Sequence, residues 1–296
     1  MKKVHVLLSA YNGQEYIKQQ IKSIFDQNGV SVRLTIRDDG STDNTKKVVS
    51  SIIDERLEYI KGENLGFASS FWQLVQLVDN DSDFYAFCDQ DDYWFQDKLI
   101  TAVNELQKEN PAIPLLYTGN VIKTDKDLIA SSDNECAFDC KDVLSFPECL
   151  KISKVPGCTF VFNKELKLRL EKYKGKMIAH DWTAYIIANA TGKVLYDPTP
   201  HMYYRIHGSN TVGIENKINT IRKRINRLNN PDAKNARLYV ATQVLNTYKN
   251  EISKEKLSIL IDFCEYKNSI SNKCKLLKYR EYRDLAFVFV MIMNRL

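Results

Sequence analysis

The octapeptide FCDQDDYW, Phe87 to Trp94, places three carboxylates, Asp89, Asp91 and Asp92, within four consecutive positions. An apolar run, FYAF, leads into them and two aromatics follow. Carboxylates this close repel one another unless a cation lies between them. Hard divalent ions such as Mg2+ or Mn2+ take oxygen ligands and commonly share them with a diphosphate. The Asp89–Asp91 pair therefore reads as the protein half of a metal–diphosphate bridge rather than as a solvated acidic turn. A second pair, Asp38–Asp39 in TIRDDGSTDNT, closes another apolar stretch. Gly40 permits the sharp turn behind it, and Ser41, Thr42 or Asp43 can cap the helix that follows. Capping explains Asp43. It does not explain two further carboxylates, which could accept the N3–H of a pyrimidine base or a ribose hydroxyl.

These groups need elements to hold them. VHVLLSA (4–10), VRLTIRD (32–38), LEYIKG (57–62) and DFYAFCD (83–89) read as strands. GQEYIKQQIKSIFDQ (13–27), TDNTKKVVSSIID (42–54), FASSFWQLVQLV (67–78) and FQDKLITAVNELQKE (95–109) read as the helices between and after them. The alternation predicts an α/β fold, a mostly parallel Rossmann-like sheet flanked by helices. Ligands of such sheets lie beyond the carboxyl ends of the strands, where both acidic pairs fall. After Pro111 the pattern loosens. Strands are expected at 115–125, 158–163, 193–197 and 201–206, and helices at 164–173 and 181–190, with 126–155 irregular. From Ile214 the chain reads as helix, near 214–228, 233–250, 253–270 and 273–294.

The 296 residues, 44% hydrophobic and 27% charged, suffice for one large globular domain or two smaller ones. The net charge of +5 is unevenly spread: residues 214–296 carry 17 Lys and Arg against 8 Asp and Glu, a net of +9. The remainder is therefore at −4, and the basic tail is expected to face something anionic. KINTIRKRINRL (217–228) and the last segment, from Lys273, suit either peripheral contact with an anionic membrane or a dimerisation surface. Without an accompanying recognition motif, the basic residues do not suggest a nucleic-acid partner. The opening MKKVHVLLSAYNG has an apolar run shorter than the roughly 7 to 15 residues of a signal peptide. The longest apolar run, Leu285 to Met293, falls far below the roughly 20 residues of a membrane span. Seven cysteines without a CxxC pair predict reduced thiols, no zinc site and a cytoplasmic location.

Six segments, LLSAYNGQEYI, IRDDGSTDNT, NLGFASSF, DQDDYWFQDKL, HDW and YRIHGSNTVG, occur in this order over residues 4–213. Together they resemble family 2 glycosyltransferases of the GT-A fold, most closely the rhamnosyltransferase-like members that build bacterial surface polysaccharides. The resemblance implies a GT-A domain over 1–213, with a nucleotide half to about 110 and an acceptor half from 111. The basic helical region 214–296 lies outside it.

The resemblance also implies roles. Ala10, Tyr11, Asn12 and Glu15 form the first nucleotide loop, and Asn64 and Gly66 a second. Asp39, with Asp38 beside it, is similar to the base-binding carboxylate. Asp89 and Asp91 are similar to the D-x-D that meets ribose and metal, Asp91 being the more direct ligand. Read from its own place, after a strand and before Gly208, His207 is either a structural histidine or a third ligand suited to Mn2+. Asp181 takes the position of the catalytic carboxylate; where relatives often have Glu-Asp, this chain has His180–Asp181. An inverting transfer needs one such base for the acceptor hydroxyl, and a helix N-terminus keeps it ionised. Gly157 lets the backbone approach the sugar. Read from the residues themselves, Trp182 could stack on a sugar or pack in the core, and Arg205 with Ser209–Thr211 offers phosphate contacts. The implied activity is a metal-dependent, inverting, single-sugar transfer from a nucleotide-diphosphate sugar to a glycan or lipid-linked acceptor, at the inner face of the plasma membrane. dTDP-rhamnose is the first donor suggested, with UDP-hexose or UDP-N-acetylhexosamine as the alternative. A sugar nucleotidyltransferase would want a basic, glycine-rich loop where SAYNGQEY stands, and a non-catalytic nucleotide-sugar-binding subunit would not need Asp181.

Overall fold

Val4, Val6 and Leu8 of strand β1 (Lys2–Ala10) are buried on one face and Leu7 on the other. A strand covered on both sides shows a near-continuous apolar run, as this one does. The computed structural model describes residues 1–130, 142–152, 155–207 and 235–296. In it β1 pairs in parallel with β2 (Val30–Asp38) and with β4 (Phe84–Cys88), and β2 pairs in parallel with β3 (Leu57–Lys61). Helices α1 (Ile17–Phe25), α2 (Thr45–Ser50) and α3 (Phe67–Leu77) make the crossovers. The register sets Ala10 opposite Asp38. The ends of β1, β2 and β4 therefore open on one edge, with both acidic pairs just at or beyond it.

The sheet continues through β8 (Val161–Asn163), β6 (Leu115–Gly119) and β9 (Lys193–Asp197), giving seven strands in the order β3-β2-β1-β4-β8-β6-β9. Only β8 runs against its neighbours. A small second sheet joins β5 (Tyr93–Trp94), β10 (Met202–Arg205) and β7 (Ile122–Thr124). It straps the acidic turn after β4 to the segment that ends in His207. Helix α4 (Lys98–Gln107) packs on the face of α1, while α3, α6 (Lys164–Lys172) and α7 (His180–Thr191) cover the other.

The expected α/β sheet is present, with local differences: the strand expected at 115–125 is split between the two sheets, and the helix expected at 273–294 is broken between Leu276 and Leu285. Helix α1 starts at Ile17 rather than Gly13, because the Gly13 carbonyl accepts from Tyr16 and Ile17 and turns the chain first. Helix α2 is shorter than 42–54, because Thr42, Asp43 and Asn44 bond to the β1–α1 loop instead. The stretch expected to be irregular contains α5 (Phe146–Lys151), capped by Ser145, whose Oγ accepts from the Glu148 N–H. Six residues are too few to show a helical period.

The C-terminal helices are α8 (Ala236–Tyr248), α9 (Lys254–Cys264), α10 (Ile270–Leu276) and α11 (Leu285–Ile292). The expected helix near 214–228 and the 213/214 boundary lie outside the described residues. Val240, Val244, Tyr248 and Phe263 share one hydrophobic core with Phe71, Phe87 and Phe160 of the sheet layer. The helical region is thus packed onto the α/β body, and Tyr248 fastens it by donating to the Arg169 carbonyl at 2.6 Å.

Asn163 ties three elements together. Its Oδ1 accepts from Leu166, capping α6, and from Leu115 at the start of β6, and its Nδ2 donates to the Ile113 carbonyl. Asn163→Ala orphans buried backbone groups, so it is expected to cost about 2–4 kcal/mol. The urea unfolding midpoint reads this; an unchanged midpoint would contradict the cap's role.

Candidate active site

Four carboxylates meet at the sheet's carboxyl edge. Asp89 is half-buried; burial first, then the charges of Asp91 and Asp181, push its pKa up to about 7. Asp92 is fully buried, and burial, Asp91 and Asp89 raise its pKa well above the usual carboxylate range. Its Oδ1 accepts from the Arg205 N–H at 3.2 Å, while its Oδ2 has no hydrogen-bond partner. Ligand atoms of Asp89, Asp92 and Cys158 all lie within 4.8 Å of one another. Burial and the two carboxylates push the Cys158 thiol up, so it stays protonated and packs as expected. Asp92 was missed as a site residue. The signal was its place as third acid of the run.

Asp91 and His207 are brought together as expected: Oδ2 to Nε2 is 2.8 Å. The Tyr16 ring lies against the imidazole at 4.8 Å between centroids. Gly208 to Gly213, with the expected Ser209–Thr211 contacts, lie outside the described residues.

The expected phosphate contact of Arg205 needs correction. Its guanidinium is buried and turned inward: Nε donates to the Asp91 carbonyl at 2.7 Å, Nη2 to Gln19 Oε1 at 2.7 Å, and Nη1 to the Lys126 carbonyl. It also lies over the Tyr16 ring, 4.5 Å from its centroid. Arg205 holds the acidic turn, Tyr16 and the His207 segment in one geometry. Trp182 takes the core alternative. It is buried and donates Nε1–H to the Cys149 carbonyl at 2.7 Å, so its ring is spent on the core under α5 rather than offered to a sugar.

Asp181 lies in the first turn of α7, half-exposed, and its Oδ1 accepts the Trp182 N–H at 2.6 Å. Gly157 is buried against it. A Cβ there would lie 2.9 Å from Asp181 Cβ and 2.8 Å from His180 Nε2, so only glycine lets α7 come this close. His180 beside it stacks on Phe71 at 4.1 Å, and burial keeps its pKa below the ordinary value.

The expected nucleotide loops are stitched to one another. Asn12 takes a left-handed backbone, φ 49°; its N–H donates to Ser41 Oγ and its Oδ1 accepts from Thr42. Gln90, the residue inside the D-x-D, clamps Tyr11 by accepting from its N–H and donating to its carbonyl, both at 2.9 Å. Gly13 makes room for that amide, a link the sequence reading did not anticipate. Ala10 is buried and its carbonyl accepts the Asp39 N–H at 2.7 Å, while Tyr11 and Glu15 are exposed.

Asp38 and Asp39 are more enclosed than expected. Asp38 accepts from the Ser41 N–H and the Tyr59 hydroxyl. Asp39 is paired with the buried Arg37 and accepts the N–H groups of Leu65 and Gly66, both at 2.9 Å. Gly66 has φ 80°, and Asn64 accepts its N–H as well. Both carboxylates anchor the loops around the expected nucleotide position; neither is an open contact in this arrangement.

The donor set fits a hard divalent ion. Oxygens of Asp89 and Asp92, which with the Cys158 sulfur lie within 4.8 Å of one another, would suit such an ion, and the Asp92 Oδ2 has no hydrogen-bond partner; Asp91, hydrogen-bonded to His207, is not part of that group. Removing the Arg205 clamp is therefore expected to loosen this site without touching the ion. Arg205→Met should weaken Mn2+ binding about tenfold or more, and Arg205→Lys should not restore it, because a single ammonium cannot serve three diverging acceptors. Mn2+ titration by electron paramagnetic resonance reads this directly; unchanged affinity in both variants would contradict it.

Comparison with known proteins shows the family and the fold. Residues 5–146 match the family model described as "Glycosyl transferase family 2". The chain is 31% identical over 244 residues to the dTDP-rhamnosyl transferase RfbG of Shigella flexneri, covering 75% of this chain and 79% of that one. It is 28% identical over 109 residues to the UDP-Glc:alpha-D-GlcNAc-diphosphoundecaprenol beta-1,3-glucosyltransferase WfaP of Escherichia coli, covering 37% and 43%. In fold it is similar to S. aureus TarS in complex with UDP-GlcNAc, with a TM-score of 0.58 at 15% identity over 95% of this chain and 77% of that one. It is also similar to the mannosyltransferase PcManGT of Pyrobaculum calidifontis in complex with GDP-Man and Mn2+, with a TM-score of 0.52 at 15% identity over 98% and 86%. The chain belongs to glycosyl transferase family 2 and has the GT-A fold.

Proposed function

We propose that this glycosyltransferase is inverting, metal-dependent and non-processive, and that it acts in the cytoplasm. It moves one sugar from a nucleotide-diphosphate donor to a growing surface polysaccharide or lipid-linked glycan. The observation that carries this reading is the division of labour among the carboxylates. Asp89 and Asp92 lie within ligand reach of one another and Asp91 pairs with His207, while Asp181 sits half-exposed in the first turn of α7 at the same edge.

In this reading Asp181 takes the proton of the acceptor hydroxyl as its oxygen attacks the anomeric carbon. Attack on the face opposite the diphosphate inverts the configuration there. When bound, the cation held by Asp91, Asp89 and His207 offsets charge on the departing diphosphate. Asp38 and Asp39 hold the loops of Asn12 and Asn64 around the nucleoside. Among the described residues no helix is long and apolar enough to cross a membrane. This is in keeping with addition of single sugars rather than extrusion of a polymer. The similarity to RfbG favours dTDP-rhamnose as donor, and WfaP supports a UDP-hexose as the second choice.

Asp181→Asn keeps the shape and the bond accepted from the Trp182 N–H but removes the base. Sugar transfer should fall about 10²–10⁴-fold, with the dissociation constant of the nucleoside diphosphate unchanged. Assaying dTDP-rhamnose, UDP-glucose, UDP-N-acetylglucosamine and GDP-mannose side by side, with product stereochemistry read by NMR, tests donor and outcome together. Transfer undiminished in Asp181→Asn, or retention at the anomeric carbon, would overturn the reading.

A further inference from the structure

Helix α11 is apolar on two faces, and only one of them is packed. Phe287 and Met291 point into the core, Phe287 stacking on Tyr282 at 4.7 Å. Leu285, Phe289 and Ile292 point outward at 88%, 59% and 60% exposure, and Met293 follows them at 49%. At 100° per residue these four fall within an arc of about 100°. One stripe of large side chains thus stands bare on a helix that a solvated exterior would have made polar.

The charges around the stripe are sorted. From Ile270 to Leu296 there are six Lys and Arg and two Asp and Glu. Both acids are tied to the body: Asp284 pairs with Lys151 and caps Phe287, and Glu281 accepts from Ser145 Oγ at 2.9 Å. Lys278, Arg280 and Arg283 are exposed. Lys273 reaches across from α10 to the Ile292 carbonyl at the far end of the stripe, 3.4 Å away, and one turn before it Ile270 is also bare. The layer is held firmly, since Lys151 of α5 grips both Asp284 and the Glu281 carbonyl, and α5 packs on α7, the helix of Asp181.

We propose that this face, the stripe of Leu285, Phe289 and Ile292 with its rim of Lys273, Lys278 and Arg280, is a docking surface for a bilayer containing anionic lipid. A helix of eight residues is about 12 Å long and cannot span a membrane of about 30 Å, so α11 lies in the plane of the interface. The rim decides between occupants. A second copy of this chain would bring the same cations against themselves, whereas an anionic headgroup layer meets them with opposite charge. The inference does not depend on the sugar transferred or on the roles of Asp91 and Asp181.

Flotation of the full chain with vesicles of phosphatidylglycerol and phosphatidylcholine, and with phosphatidylcholine alone, tests it. Light scattering of the free protein runs beside it. Wild type should float with the anionic vesicles only, lose binding as salt rises, and be monomeric when free. Leu285→Gln/Phe289→Gln/Ile292→Gln should abolish flotation while keeping the unfolding temperature, since these side chains are exposed. Lys278→Glu/Arg280→Glu should weaken binding by at least about fivefold for each cation lost, and it decides the matter should the triple variant fail to fold. Failure of wild type to float with anionic vesicles overturns the proposal. So does flotation that the charge reversal leaves intact. A wild-type dimer that the triple variant splits, with no vesicle binding, would assign the face to a second copy instead.

Discussion

Asp89, Asp91, Asp92 and Asp181 stand at the same edge of one sheet, and their mutual repulsion is the constraint on which the site is built. A fold can bear such crowding only if the backbone around it is held by other means. Arg205 is the main restraint. Its guanidinium reaches the Asp91 carbonyl, Gln19 and Lys126, and its own N–H meets Asp92. The arginine thus fixes the turn through main-chain groups and leaves the Asp91 carboxylate to His207. Burial first, and then the neighbouring carboxylates, push the pKa of Asp89 up to about 7 and that of Asp92 well above the carboxylate range.

The same economy shapes the loops. Asp39 and Arg37 form a buried pair whose other bonds go to Leu65, Gly66, Ser70 and the Glu63 carbonyl. Buried ion pairs add stability only when their remaining hydrogen-bonding groups are met, as most are here. Gln90 bonds the acidic turn to Tyr11, and Asn12 bonds that loop to the one after β2. The three loops form one hydrogen-bonded rim on top of three parallel strands. A ligand that moves one of them must act on the others. The C-terminal helices complete the picture from behind, through the core shared by Val240, Tyr248 and Phe160.

Much of this was legible in the sequence. The alternation of β1 to α4 implied the parallel sheet, and strand ends gave the edge on which the acidic pairs fall. The approach of His207 to Asp91, more than a hundred residues apart, was expected from the place of His207 in a loop directly after a strand. What the sequence hid was direction. Nothing in YRIHG tells whether Arg205 points out to a phosphate or in to a carbonyl, because that depends on β10 pairing with β5 and β7. Trp182 was ambiguous for the same reason, since its partner, the Cys149 carbonyl, belongs to a helix too short to leave a periodic trace. Asp92 was hidden by its neighbours, being one acid among three of which two already had a role. The bare stripe of α11 was visible as an apolar run, but which face it turns outward emerged only with the packing of Phe287 and Met291.

The central claim is that the acidic turn holds a cation against a leaving diphosphate. Calorimetric binding of dTDP, UDP and GDP tests it, each with Mn2+ and with chelator, to wild type and to Asp91→Ala. One diphosphate is expected to bind wild type only with metal, and the binding to be lost in Asp91→Ala. Equal binding with chelator, or binding that survives in Asp91→Ala, would contradict it and leave the four carboxylates without their counter-ion.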